Sequence, residues 1–241
     1  MFGLFNRRSS LLDSGLLAGA IDNHSHILYG LDDGVKTWEE SSSIMTWLEE
    51  LGLKEVWFTP HVMEDVPNTT ERLRSRYEEF LSLYSGGLKT HLSAEYMLDG
   101  LFNDRLEAGD LLKHGGELVL VETSTIAPPI GFWDTLELMM SKGFRPLIAH
   151  PERYRYMSRA DYERLRNMGC KFQLNLPSIV GYYGSSVNER AKMLLKKGWY
   201  DIVGSDCHRF KVLGKQYATK ELDKETVRLL RPLMAVVAEE I

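Results

Sequence analysis

Six short apolar runs in this chain each end on a side chain that can ligate a metal or move a proton. Ala20-Ile21 leads into Asp22-Asn23-His24-Ser25-His26, and Val56-Trp57-Phe58-Thr59-Pro60 leads into His61. Leu92-Ser93-Ala94 ends at Glu95, Leu118-Val119-Leu120-Val121 at Glu122, and Leu147-Ile148-Ala149 at His150. Ile202-Val203-Gly204-Ser205 ends at Asp206-Cys207-His208. Read as strands, the runs deliver imidazoles and carboxylates to one rim of a sheet. In α/β barrels that rim, at the strand C-termini, is where chemistry is built.

The segments between the runs read as amphipathic helices. Ile44, Trp47, Leu48 and Leu51 follow the i, i+3, i+4, i+7 spacing, with Thr37 and Glu40 as a capping box. Asn68 with Glu71 starts a second helix bearing Leu73, Tyr77, Phe80, Leu81 and Tyr84. Trp133, Leu136 and Met140 mark a third. Tyr162, Leu165 and Met168 mark a fourth with Ser158 as N-cap, and Leu194 and Leu195 lie on a fifth. A C-terminal helix over 224–240 carries Pro232, where a break is expected. Four helices end at a glycine followed by a strand: Gly52, Gly143, Gly169 and Gly198. Glycine suits the left-handed position just past a helix. Strands alternating with helices imply parallel strands joined by right-handed crossovers. About seven strands are expected. An open sheet concentrates its site at one switch point, so polar residues at nearly all strand ends favour a closed barrel. The stretches 123–131 and 176–186 read as loops that overhang the rim.

At 241 residues, with 44% hydrophobic and 26% charged content, the chain is long enough for one large α/β domain. A short extension over residues 1–19, which packs on the body or frays, would precede a single domain over 20–241. The net charge of -5 gives no support for a nucleic-acid partner. Cys170 and Cys207 form no disulfide framework, which points to a reducing cytoplasm. No apolar run approaches the roughly 20 residues that span a bilayer. At the N-terminus, Arg7-Arg8 follow the apolar residues, the reverse of a secretory signal.

His24-Ser25-His26 puts two imidazoles on one side of a strand, and Asp206-Cys207-His208 has the same geometry. If the sheet closes, these first and last strands meet, and the two pairs face one site. His61 and His150, each beside a proline, extend it. Glu95 and Glu122 end apolar runs where a lone carboxylate is costly unless paired or bound to metal. Asp32 and Asp33 add oxygen ligands, or else form a turn with Gly34. Some nine nitrogen and oxygen ligands exceed the need of one ion and suit two or three ions sharing a carboxylate. Imidazole with carboxylate fits manganese, iron or zinc. Arg153, three residues past His150, can grip a phosphate with two parallel hydrogen bonds, or else pair with Glu152. Arg209 is a second candidate for substrate. Asp22 reads as an outer acceptor that orients an imidazole. His91 and His114 fall outside the pattern and read as surface or packing residues, and Cys207 as packing.

The runs Ile21–Leu28, Asp32-Asp33-Gly34, Thr59-Pro60-His61, His150-Pro151-Glu152-Arg153-Tyr154 and Ser205–His208 resemble the polymerase-and-histidinol-phosphatase (PHP) family. Within it, the Asp-Asp-Gly turn and the His-Pro-Glu-Arg-Tyr run resemble the bacterial tyrosine-protein phosphatases of capsule and exopolysaccharide loci. The resemblance implies a distorted seven-stranded, TIM-like (β/α)7 barrel with three metal ions, usually manganese. It implies that His24, His26, Glu95 and Asp206 hold one ion. Glu95, Glu122 and His150 would hold the second, and Asp33 or Asp32 with His61 and His208 the third. The implied reaction is phosphotyrosine hydrolysis by a metal-bridged hydroxide, dependent on Arg153, His150 and Asp206 and using no cysteine nucleophile. The implied partner is the phosphotyrosine-bearing tail of a bacterial tyrosine kinase that controls polysaccharide export. Rival readings are a histidinol-phosphate-type phosphatase, a nuclease, or a metal-holding module without catalysis.

Overall fold

In a computed structural model, which describes residues 8–238 and 241, nine strand segments run parallel in two sheets. One sheet has the order β1 (Ile21–Ser25), β2 (Glu55–Phe58), β4 (Lys89–Leu92). The other has the order β3 (His61–Val62), β5 (Glu95–Met97), β6 (Leu118–Glu122), β7 (Arg145–Ala149), β8 (Lys171–Asn175), β9 (Ile202–Gly204). The sequence reading expected about seven strands. The difference lies at Thr59-Pro60, which separates β2 from β3, and at Ser93-Ala94, which separates β4 from β5. Proline cannot donate to a ladder, so the break at Pro60 follows from its chemistry. The sheets join where β1 meets β9. Asp206 N donates to His24 O at 2.7 Å and His26 N to Cys207 O at 2.9 Å. The result is one curled parallel sheet.

Alternation along the strands sorts side chains between two cores. Leu118, Leu120, Leu147, Ala149, Ile202, Ile21 and Trp57 pack together inside the curl, with Ala238 beneath them. Val119, Val121, Ile148, Phe172, Leu174 and Val203 point outward into a larger core under the helices. Both strand faces are therefore covered, as parallel sheets require.

The helices follow the apolar spacing with several corrections. Thr37 caps α1 (Trp38–Glu50), but the capping box is only half made. The Glu40 carboxylate instead accepts from Phe210 N. Thr69, not Asn68, caps α2 (Thr70–Leu83). Asn68 is buried and donates to Leu31 O and His61 O. Neither α3 (Gly100–Ala108) nor α8 (Phe210–Ala218) was expected from the sequence. α4 (Phe132–Ser141) and α5 (Arg159–Asn167) match, and Ser158 with Asp161 forms a full capping box. The expected loop at 176–186 contains a short helix, α6 (Leu176–Ile179), and yields at Ser185 to α7 (Ser185–Lys196). The C-terminal helix, α9 (Lys224–Leu230), gives way to a 3-10 turn at Arg231–Leu233 containing Pro232, as expected. Gly52, Gly143, Gly169 and Gly198 all take positive φ. No described helix is long and apolar enough to cross a membrane. Residues 1–7 of the N-terminal extension lie outside the described residues. From Arg8 onward it packs on the body: Ser9 pairs with Leu222, and Leu11, Leu16 and Leu17 are buried.

The β9–β1 closure leaves no room for a side chain at Gly204. A Cβ there would sit 2.4 Å from His24 Cβ and 2.8 Å from Gln173 Nε2. Gly204→Ala is expected to cost about 1–3 kcal/mol of overpacking. An unchanged urea midpoint would show that the closure is looser than described.

Candidate metal centre

β1 carries His24 at its C-terminal end, and His26 follows just beyond it. Their Nε2 atoms lie 3.1 Å apart. His24 Nε2 is 3.2 Å from Glu95 Oε2 and 3.6 Å from Asp206 Oδ1. His26 Nε2 is 3.3 Å and 3.5 Å from the same two atoms. The opposite ring nitrogens are engaged: His24 Nδ1 faces Gln173 Oε1 at 3.1 Å, and His26 Nδ1 faces Asp32 Oδ2 at 2.7 Å. Partners of this kind fix ring orientation and turn the free nitrogens toward one space.

Glu95, at the start of β5, is fully buried and central. Its Oε1 lies 2.9 Å from His150 Nε2, and its Oε2 lies 3.1 Å from His61 Nδ1. Glu122 closes the same side, 3.1 Å from His61 Nδ1 and 3.7 Å from His150 Nε2. Asp33 Oδ1 lies 3.3 Å from His208 Nε2 and 3.6 Å from His61 Nε2. All ten sequence-predicted ligand candidates are thus brought to one rim.

Ligand atoms within 4.8 Å of one another form four overlapping groups. One is His26, Asp33, His61 and His208; another is His24, His26 and Asp206; a third is His24, Glu95 and His150; the last is His61, Glu95 and Glu122. The donor set fits divalent cations. Bonds of about 2.1 Å to nitrogen and oxygen place neighbouring ligands roughly 3–3.5 Å apart. Glu95 Oε2 and His61 Nδ1 are buried without a well-directed hydrogen bond although they nearly touch. Such convergence without hydrogen-bond geometry is costly unless something sits between the atoms.

The electrostatics follow from crowding. Burial pushes the Glu95 carboxyl up, but His24 and His61, with the His150 hydrogen bond, hold it well below the usual range. Burial pushes His24 down, and Glu95 with Asp206 outweighs it, raising the imidazole to about 9. His26 rises likewise, chiefly through Asp32 against the cost of burial.

The two aspartates part company. Asp32 is buried, and its oxygens take His26 Nδ1, His61 N and Gly34 N. Asp33 is exposed and reaches the two outer imidazoles. Gly34 is required by close approach, since a Cβ there would meet His26 Cβ and O at 2.4 Å. Arg153 does not pair with Glu152. It donates to Asp206 Oδ2 at 2.9 Å, and its guanidinium lies 4.6 Å from the Tyr183 ring centre. Glu152 is buried and takes Tyr200 OH and Asn175 N. Asp22 does not orient an imidazole. It accepts from Ser205 N, Ser205 Oγ and His24 N, and so staples β9 to β1. Arg209 is exposed, outside the ligand cluster, on a neighbouring cleft. His91 pairs with Glu55 and stacks on Trp57. His114 is wholly buried beside Trp57, so it is a packing residue and not a surface one. Cys207 is buried in the outer core, as expected.

Sequence reasoning missed three contributors. Gln173 accepts from His150 N and faces His24, while Asn175 donates to Asp206 Oδ2 at 2.7 Å. The available signal was their spacing: polar residues two apart at the end of an otherwise apolar strand. Tyr183 lines the rim cavity of about 240 Å3 from the loop after α6.

A parallel α/β protein with a candidate metal centre at its strand C-termini is the class this geometry defines. The chain belongs to the capsular polysaccharide synthesis CpsB/CapC family, whose model matches residues 20–216. The tyrosine-protein phosphatase CpsB of Streptococcus pneumoniae is 26% identical over 228 residues, covering 83% of this chain and 92% of that protein. Its namesake from Streptococcus agalactiae is 28% identical over 212 residues, covering 80% and 84%. Among solved structures, one from work on the metal-dependent tyrosine phosphatases YwqE of Bacillus subtilis and CpsB of S. pneumoniae superposes with a TM-score of 0.74. It is 23% identical and covers 90% of this chain and 88% of that one. The resemblance drawn from the motifs is borne out at the level of the family.

The aspartates separate by experiment on the metal-free protein. Asp32→Asn is expected to lose roughly 1.5–3 kcal/mol, the worth of hydrogen bonds to a charged group. Asp33→Asn, at an exposed position, is expected to stay within about 0.5 kcal/mol of wild type. Equal urea midpoints for the two variants would overturn the assignment of Asp32 as the buried support.

Proposed function

We propose that this protein is a metal-dependent tyrosine phosphatase. The observation that carries the reading is the convergence of five imidazoles and four carboxylates on one rim beside Arg153. The names of its relatives in the CpsB/CapC family support the substrate class. The preferred substrate is a phosphotyrosine-bearing tail of a bacterial tyrosine kinase governing capsule or exopolysaccharide synthesis. We read the two hydrogen-bonded sheets as one distorted seven-stranded barrel, β2 continuing into β3 and β4 into β5, in a single domain over 20–241.

Three ions, manganese first and iron or zinc next, would be held by His24, His26, Glu95, Glu122, His150, Asp206, His61, His208 and Asp33. Asp32 supports this set from behind and is not assigned as a ligand. Bound cations supply Lewis-acid charge to the phosphoryl oxygens and lower the pKa of water.

The chain's own groups do the rest. Arg153 is half-buried, so its charge is poorly screened and can offset that of the transferring phosphoryl group. Burial disfavours the Arg153 charge, but Asp206 more than restores it. Asn175 and Arg153 together fix the Asp206 carboxylate. In the reaction an oxygen from water bonds to phosphorus and the bond from phosphorus to the phenolic oxygen breaks. The water gives up a proton and the departing phenolate gains one. With a phenol pKa of about 10, that leaving group needs little help from an acid. The Cys207 thiol is buried and pushed up by burial, which leaves it inert as a nucleophile.

Metal-stripped protein given back manganese is expected to release phosphate from a phosphotyrosyl peptide and from p-nitrophenyl phosphate. His150→Ala is expected to lose at least 100-fold in kcat/KM, and Cys207→Ser to keep activity near wild type. Turnover of alkyl phosphates alone would move the assignment to a small-molecule phosphatase. Metal uptake without any turnover would leave a binding module.

Cation loading must also expel the proton that His24 holds up to about 9. Uptake is therefore expected to release protons at neutral pH, with affinity rising as pH rises toward 9. Calorimetry in buffers of different ionisation enthalpy measures this directly, and a pH-independent affinity would count against His24 as a ligand. The metal-free fold runs the other way. The His24 charge stabilises it fully below about 6.5, and that contribution fades as pH rises through about 9.

A further inference from the structure

Beside the metal rim lies a second cleft, of about 250 Å3, to which two of the candidate ligands, Asp206 and His208, contribute one wall. It opens between the 180–184 turn and the first turns of α8. Asp206, His208 and Tyr183 line both this cleft and the rim cavity, so the two adjoin. Its far wall is built from Val212, Leu213 and Gln216, and Tyr182 and Arg209 stand at its mouth. None of these five residues lies among the candidate ligands.

We propose that this cleft is the subsite for the aromatic ring of the ester, and that Tyr182, Tyr183 and Val212 make the enzyme selective for aryl over alkyl phosphates. The inference rests on the phosphatase reading above and specifies its leaving-group pocket.

The size argues for one ring. Sites that enclose drug-sized ligands run from roughly 300 to 1,000 Å3, and this one falls below that range. The walls suit an aromatic face. Tyr182 and Tyr183 meet edge to face, with ring centres 5.0 Å apart, and so present one face and one edge at a corner. A third ring can add to such a corner at the 4.5–7 Å spacing that aromatic pairs prefer. Val212 and Leu213 supply the apolar side opposite. Half of Tyr182's surface is exposed, which leaves part of its ring free to meet a bound one. Arg209, at the mouth, can lie over a bound ring or meet an acidic residue flanking it.

The position fixes the direction of the substrate. Arg153 lines the rim cavity, where it grips Asp206 and packs on Tyr183, and both of those partners also line the cleft. A phosphoryl group at the rim that directs its ester oxygen past His208 and Tyr183, which line both spaces, would put its ring in the cleft. An alkyl ester would leave the cleft to water and forgo those contacts. The loop at 123–131 also exposes Ile126 and Ile130, but among the described residues these do not line either the cleft or the rim cavity.

The test uses the full-length, manganese-loaded protein. Three quantities are measured: kcat/KM for a phosphotyrosyl peptide, kcat/KM for a phosphoserine peptide of the same sequence, and Ki for inorganic phosphate. Val212→Trp, which fills the cleft, is expected to lower the phosphotyrosine value at least tenfold through KM while phosphate inhibits as in wild type. Tyr182→Ala, on an exposed turn, is expected to lower the aryl-to-alkyl ratio several-fold. Unchanged phosphotyrosine kinetics in Tyr182→Ala, and in Val212→Trp if it folds, would overturn the subsite. A wild type that hydrolyses neither peptide would instead sink the phosphatase reading, so the two failures are told apart.

Discussion

The Glu95 carboxylate governs this structure. It is fully buried, yet it faces His24, His26, His61 and His150 within 3.3 Å. Three of those imidazole nitrogens, from His24, His26 and His61, crowd the one oxygen Oε2, which is left without a directed hydrogen bond. Burying such a group is unfavourable unless opposite charge lies close on several sides. In the metal-free state the histidines must carry that charge, which is why His24 is driven upward against its own burial. Cations held by these residues would relieve that crowding by taking the place of the protons.

The crowding is tolerable because the sheet isolates it. Inward-facing positions change character from floor to rim: Leu118 and Leu120 give way to Glu122, Ile202 and Gly204 to Asp206, and Trp57 and Thr59 to His61. The lower half of the curl is a dry apolar plug with Ala238 at its base. The upper half is polar throughout. One side-chain periodicity thus supplies both stability and chemistry, and the switch needs only the last residue or two of each strand. Asp22 holds the closure of the curl by tying Ser205, just past β9, to β1.

That periodicity is also why so much was legible in the sequence. Apolar runs ending in His, Asp or Glu revealed the strand ends, and every candidate ligand they marked reached the rim. Residues whose role depends on three-dimensional company were harder to see. Gln173 and Asn175 look like ordinary strand polars until His24, His150 and Asp206 are placed beside them. The adjacent pair Asp32 and Asp33 could not be ranked, because burial separates them and spacing does not. Asp22 was misread for a related reason: proximity in sequence to His24 suggested an imidazole partner, whereas the closure of β9 on β1 offered a nearer one. α3 and α8 escaped because they are short and only three residues of each are buried.

Two non-glycine residues leave the extended backbone for the left-handed region, and both lie at the centre. His150 and Asp206 have φ of 33° and 52°, in a region that non-glycine residues seldom occupy. Each such backbone costs of the order of 1–3 kcal/mol and persists only when its surroundings hold it. The holders are visible. Gln173 Oε1 takes His150 N, and the Asp206 carboxylate is gripped by Arg153 and Asn175. For His150 the turn has a geometric purpose. Leu147 and Ala149 face inward, so regular alternation would send the next side chain outward into the helix layer. The left-handed step turns His150 back toward Glu95. The strain, the buried supports and the unsatisfied carboxylate are parts of one arrangement, in which β8 carries no candidate ligand of its own and instead holds those of its neighbours in place.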